Sequence, residues 1–268
     1  MLDSKKTIIL ISMFLFLFLT ESRSQDMIKR IHEIESELEH YVDENGCRAN
    51  IDGVLNPAVW FDRTPDDERV LFINKEAFTF NKDDYKNGRN LINDRKEEKF
   101  SMMEEGKPTY RVMIAISCMC CCDDDWHNVI DALKTSAQDD YWLKFFNHSA
   151  IINVKKQMKL AVGRDVYSDD LIIWEHAKRN EKLLIKQISV YNPTIVIGGN
   201  TLKYFIHDNK IFGETIVEKR DLYGDGMRYY YITPNRMYVD AYHPSSRGSY
   251  EKKIGSIKSA LEDWKSRK

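Results

Sequence analysis

The sequence lacks a charge excess of either sign. Its 40 Lys and Arg stand against 42 Asp and Glu, a formal net of −2 over 268 residues. That balance excludes a histone-like protein that holds nucleic acid by bulk electrostatics alone. It leaves room for an enzyme that touches DNA through one local basic face. Extended apolar runs are scarce, and 31% of the residues are charged, so a multispanning membrane protein is excluded. Internal repeats and low-complexity tracts are missing as well. So are separated cysteine pairs: Cys118, Cys120, Cys121 and Cys122 lie almost adjacent, and Cys47 is the one other thiol. This spacing has neither the C-x-x-C pairs of a zinc site nor the four converging thiolates of an iron–sulfur cluster. A packed, reduced cluster is expected, with no metal and no cofactor. What is present suffices for a core: 43% hydrophobic and 12% aromatic residues exclude wholesale disorder.

The one long apolar run is Thr7 to Thr20, directly after Lys5 and Lys6. It is short for a membrane span and has the layout of a secretory signal, with a cleavage point near Ser22-Arg23-Ser24. The alternative is a mis-chosen start, with Met27 opening the protein. Clustered free cysteines favour a reducing cytoplasm, whereas the leader favours export. Residues 1–26 are therefore set apart as a leader or a mis-chosen start. Residues 27–268 read as one domain.

Along that domain, apolar residues at three-to-four spacing predict a helix over 27–42, with an acidic outer face. Val70 to Ile73 reads as a buried strand, and 81–109 as a long surface loop or lid. Residues 110–146 read as mostly helical, broken near Asp123 to Asp125. Ser149 to Asn153 is a second strand. Helices follow from Asp169 or Asp170 to Ala177, and over about 181–190, stopping at Asn192-Pro193. Thr194 to Ile197 is a third strand, and Gly198-Gly199 leads into a helix with Leu202, Tyr204 and Phe205. Arg228 to Thr233 reads as an alternating or edge strand and Met237 to Tyr242 as the last strand. Tyr250 to Trp264 closes the chain as a helix. Strands alternating with helices predict an α/β fold: a three-layer α/β/α sandwich with a central, mostly parallel four-stranded sheet.

Ligands of such sheets bind beyond the carboxyl ends of the strands. There the first strand delivers Glu76 and Phe78, and the second Asn153. The third delivers Gly198-Gly199, and the last His243-Pro244-Ser245-Ser246-Arg247. Taken singly, each has a bland reading: a solvated carboxylate, a turn amide, a strand-to-helix turn, a histidine bound to local backbone. Phe78 and Phe80 are singly more often core than stacking platform. Taken together and in this order, a carboxylate, an amide, a glycine turn and a histidine converge on one edge.

This set resembles the uracil-DNA glycosylase superfamily, especially its shorter bacterial and archaeal branches. Lys75-Glu76-Ala77-Phe78 stands where that family has a G-E-A-P-G-like turn. Ile152-Asn153-Val154-Lys155-Lys156 is similar to its T-N-x-x-K-like segment. Pro193 to Gly199 matches P-x-x-I-V-x-x-G, and His243-Pro244-Ser245 matches H-P-S. The resemblance spans roughly residues 68–265, and its last two motifs are the closest. The first motif departs from the pattern, without the leading Gly and the Pro-Gly. The four-cysteine iron–sulfur frame of some branches is absent.

The resemblance implies hydrolysis of the N-glycosidic bond of uracil or a related damaged base in DNA. The base must first leave the stack and enter a pocket. Glu76 would then orient water or stabilise the cationic sugar, and His243 would donate to the anionic base oxygen. Asn153 would read the base edge, and Phe78 or Phe80 would stack on it. Lys155, Gly198, Gly199, Ser245, Ser246 and Arg247 would hold backbone phosphate. The altered first motif leaves open an inactive nucleic-acid-binding module, and the leader leaves open an exported α/β protein of unrelated function.

The near-zero total charge hides a division. Residues 33–44 carry six acids and no Lys or Arg, while from His243 onward seven bases oppose three acids. Lys155, Lys156 and Lys159 are unopposed within 151–160. DNA, single- or double-stranded, is the expected partner at this basic edge. No obligate protein partner is evident, and a monomer is expected.

Overall fold

The computed structural model describes residues 24–61, 69–93, 108–134, 139–162, 168–244 and 246–267. Its centre is a mixed seven-stranded sheet. Four strands at its heart run parallel: β2 (Val70–Asn74), β4 (Ser149–Asn153), β6 (Ile195–Gly199) and β12 (Met237–Ala241). All four are runs of mostly β-branched and apolar residues buried on both faces, as strands covered by helices on two sides must be. The expected four-stranded parallel core is extended by antiparallel strands. β1 (Gly53–Val54) adds to β4 on one side, and β11 (Tyr229–Ile232) with β10 (Glu218–Asp221) adds to β12 on the other. Of these, β11 was expected, as Arg228 to Thr233, and β1 and β10 were not. β11 is thus an interior strand, because β10 covers its outer side.

Side-chain alternation sorts the sheet into two cores. Val70, Phe72, Ile151, Ile197 and Val239 pack with α4 (Pro108–Cys122), α5 (Trp126–Ala132), α6 (Asp139–His148) and α8 (Ser256–Lys265). Leu71, Ile73, Ile152, Val196 and Tyr238 pack with α1 (residues 24–40), α2 (Pro57–Phe61) and α7 (Asp170–Tyr191). Each fully buried Ile, Leu or Phe here contributes about 1.5–3 kcal/mol. α1 begins at Ser24, slightly before the expected start, and buries Ile31, Ile34 and Leu38 completely.

Three further expectations need correction. Residues 170–191 form one helix, not two. Its polar middle disguised it: Asn180 is buried, and its amide donates to the Val154 carbonyl at 2.8 Å. Asp169 caps the start by accepting from the Leu171 N–H, and left-handed Asn192 ends it. The supposed loop at 81–109 holds α3 (Lys82–Asn87), capped by Asn81; residues 94–107 lie outside the described residues, and 108–109 already belong to α4. After β6 comes a single 3-10 turn, Leu202–Phe205, rather than a full helix. A small three-stranded sheet of β7 (Ile206–His207), β8 (Lys210–Ile211) and β9 (Glu214–Thr215) follows. Pro65 and residues 1–23 also lie outside the description.

The cysteine cluster sits on α4, and none of the five cysteines forms a disulfide. Cys118 is buried, and burial pushes its thiol well above the ordinary range, which keeps it unreactive.

Candidate functional site at the carboxyl edge

The last row of the parallel ladder is Asn153 beside Asn74, and Gly199 beside Ala241. Two residues further along each chain come Lys155, Glu76, Thr201 and His243. Strand register therefore delivers these four to one edge. The β2–β4 pairing also continues past the strands: the Val154 N–H donates to the Asn74 carbonyl and the Lys155 N–H to the Lys75 carbonyl, both at 2.9 Å. Further out, β3 (Phe78–Thr79) pairs with β5 (Lys159–Leu160) in the same parallel sense.

Glu76 is buried, and Lys155 Nζ donates to its Oε2 at 2.8 Å. His176 of α7 feels both charges. Burial pushes its imidazole below the ordinary value, Lys155 and Arg179 push the same way, and Glu76 opposes. Sequence pattern gave His176 no role, because only the fold brings it to this carboxylate.

His243 forms the other half of the edge. It packs on Gly199: a methyl group there would meet His243 Cδ2 at 3.1 Å and Asn74 Oδ1 at 3.6 Å. Burial, followed by the charges of Lys75 and Lys253, pushes the His243 imidazole down to about 4. It is therefore neutral at physiological pH and can donate one N–H. Lys253 is itself buried and donates to the Pro244 carbonyl at 3.1 Å. The Ser246 N–H closes the turn onto the His243 carbonyl at 2.8 Å, and Ser246 Oγ is a buried hydroxyl without a hydrogen-bond partner among the described residues.

Asp170, at the start of α7, ties the two halves together. It accepts from Lys75 and, at 2.9 Å, from Lys203 beside the 3-10 turn. Burial opposes its ionisation, but these two hydrogen bonds outweigh that and hold the carboxyl at about 2. Asp240 lies inside the same edge, where it accepts from the Leu202 N–H at 3.2 Å. Burial lifts it to about 6, against the pull of Arg228.

Not every expected residue faces this edge. Asn153 is turned inward: its backbone N–H and its amide both donate to Asp52 Oδ2, at 2.7 and 3.2 Å. Lys156 is fully buried on the same carboxylate, so it adds nothing to the basic surface. Phe80 is 72% exposed and Phe78 is partly exposed with Lys159 over its ring, so neither belongs to the core. Gly198 is sterically required, since a Cβ there would lie 2.5 Å from Leu202 Cγ. Arg247 is exposed, and Ser245 lies outside the described residues. Lys75, Lys203, Lys253, Asp170 and Asp240 were missed in the sequence. Of these, only Lys75 had a signal, its place beside Glu76.

Two open clefts lie elsewhere. One of about 510 Å³ is lined by His40, Arg48 and Arg89, and one of about 530 Å³ by Tyr141, Lys144 and His148. Neither includes Glu76, Asn153 or His243. Among the described residues no group of His, Cys, Asp and Glu is arranged to hold a metal ion, and no helix is long and apolar enough to cross a membrane. Compared with known proteins, the chain matches no family model and no curated protein sequence.

His243 and Asp240 set opposite responses to acid. Between pH 4 and 6.5 the unfolded chain protonates its histidine while folded His243 stays neutral, so stability falls as pH drops through that window. Between pH 6 and 3.8 folded Asp240 holds a proton that the unfolded chain lacks, so stability rises as pH drops. Asp240→Asn is expected to steepen the acid loss, and His243→Gln to flatten it. Urea midpoints across this range check both, and unchanged slopes in the two variants would contradict the assignment.

Proposed function

We propose that this chain is a uracil-DNA glycosylase-like protein that hydrolyses the N-glycosidic bond of uracil or a related damaged base in DNA. The observation that carries the reading is His243, a neutral imidazole seated on Gly199 and within the field of the Lys75 and Lys253 ammonium groups, on the same strand-end row as Glu76. Glycosidic cleavage leaves negative charge on the departing base. A neutral N–H donor flanked by fixed positive charge stabilises that anion more than it stabilises the neutral bound base. Glu76 is the carboxylate available to the cationic sugar, with Lys155 setting its position.

The chain order of the parallel strands supports a three-layer α/β/α reading with a four-stranded parallel core. Across the sheet, the second of these strands precedes the first, third and fourth, and a separate core lies on each face. Five cysteines without a disulfide support a cytoplasmic setting.

A second reading, a nucleic-acid-binding module without base release, rests on two observations. Asp52 occupies the Asn153 amide, and Lys155 neutralises Glu76. Oligonucleotides carrying uracil or other damaged bases separate the readings. The full chain in excess is expected to leave alkali-labile abasic sites in at least one of them. Salt-sensitive binding with no strand breaks across the panel would leave only the binding module.

A further inference from the structure

The turn between β10 and β11 and the residue just before His243 build an aromatic cluster that the proposed chemistry does not use. Tyr223 and Tyr242 stack with ring centroids 5.0 Å apart and planes 18° apart. The Tyr242 N–H donates to the Tyr223 hydroxyl at 3.2 Å. Lys252 Nζ lies 5.1 and 5.0 Å from the two ring centroids, and the Arg228 guanidinium lies 5.1 Å from that of Tyr242. Both rings are half-buried, so part of the stack meets solvent. Met227, at the tip of the same turn, is 60% exposed.

The acids nearby are engaged as well. Asp221 is occupied by the N–H groups of Tyr223, Gly224 and Gly226 within the turn. Asp225 accepts from Lys252 at 3.5 Å and from the Tyr242 hydroxyl at 3.4 Å, and Arg228 acts on the buried Asp240. What the cluster offers a ligand is therefore stacked rings with cations at their faces, not a net positive charge.

We propose that the Tyr223–Tyr242 stack, with Arg228 and Lys252, is a platform for an unpaired base of single-stranded DNA. Resting on the glycosylase-like reading, this names the strandedness of the substrate. Parallel aromatic rings beside cations hold successive bases of a single strand without regard to sequence. In a duplex those base faces are covered by their neighbours. Tyr242 adjoins His243 in the chain, so a strand stacked here lies near the proposed base-release residue.

The test is fluorescence anisotropy of the full chain with a labelled undamaged deoxyoligonucleotide, the same sequence as a duplex, and the same sequence as RNA. Single-stranded DNA is expected to bind about tenfold more tightly than duplex, Tyr242→Leu to lose about tenfold, and Tyr242→Phe to bind as the parent does. Arg228→Gln, which removes the guanidinium from the Tyr242 ring, is expected to weaken single-strand binding as well. Equal duplex binding, equal or tighter RNA binding, or a folded Tyr242→Leu variant that binds as the parent does overturns the proposal. Base release without strand preference would remove this inference and leave the glycosylase reading. Strand preference without base release would do the reverse.

Discussion

Asp52→Ala is expected to cost about 3–5 kcal/mol of folding stability, the range for stripping one partner from a buried ion pair. Both Asp52 and Lys156 are fully buried. Lys156 Nζ donates to the Asp52 carboxylate at 2.9 and 3.2 Å and to Gln187 Oε1 at 2.8 Å. The Gln187 amide returns to Asp52 at 3.2 Å, and Asn153 supplies two more donors. Burial pulls the Lys156 ammonium down, and only the Asp52 charge opposes that. Removing the carboxylate strands an ammonium in the interior and orphans up to four donor groups. The same network joins the residue before β1, the turn after β4 and the carboxyl-terminal end of α7. It thereby fixes the segment that presents Lys155 to Glu76. Urea denaturation at neutral pH measures the loss. A loss under about 1 kcal/mol would show that the pair is not worth what burial implies.

His243→Ala is expected to lower base release by about 10²–10³-fold, the usual effect of removing one donor to a developing anion. The neutral state of His243 adds a signature that a merely structural residue lacks. The rate should show no inflection near pH 6.5, where an unshifted histidine titrates. An inflection there that vanishes in His243→Gln would contradict the neutral donor.

The parallel core was legible in the sequence because its strands are continuous apolar runs. Val70 to Ile73 and Ser149 to Asn153 differ from the observed strands by one residue or none. The antiparallel edges were not legible. β1 is two residues long, and β10, Glu-Lys-Arg-Asp, has no apolar face to betray it. Strand register brings Glu76, Lys155 and His243 to one edge, as their positions after strands implied. The turn of Asn153 toward Asp52 was hidden, because Asp52 stands about a hundred residues away with no local pattern. The roles of Asp170, Lys203 and Lys253 were hidden for the same reason. Each is an ordinary surface residue until folding places it against another element.

The most direct measurement is the mass of the oligonucleotide product formed in ¹⁸O-labelled water. Hydrolysis by this edge predicts loss of one base and one ¹⁸O atom on the abasic sugar, with both changes slowed about 10²–10³-fold by His243→Ala. An oligonucleotide that binds the full chain but keeps its full mass, at enzyme excess and for every base offered, would contradict the account.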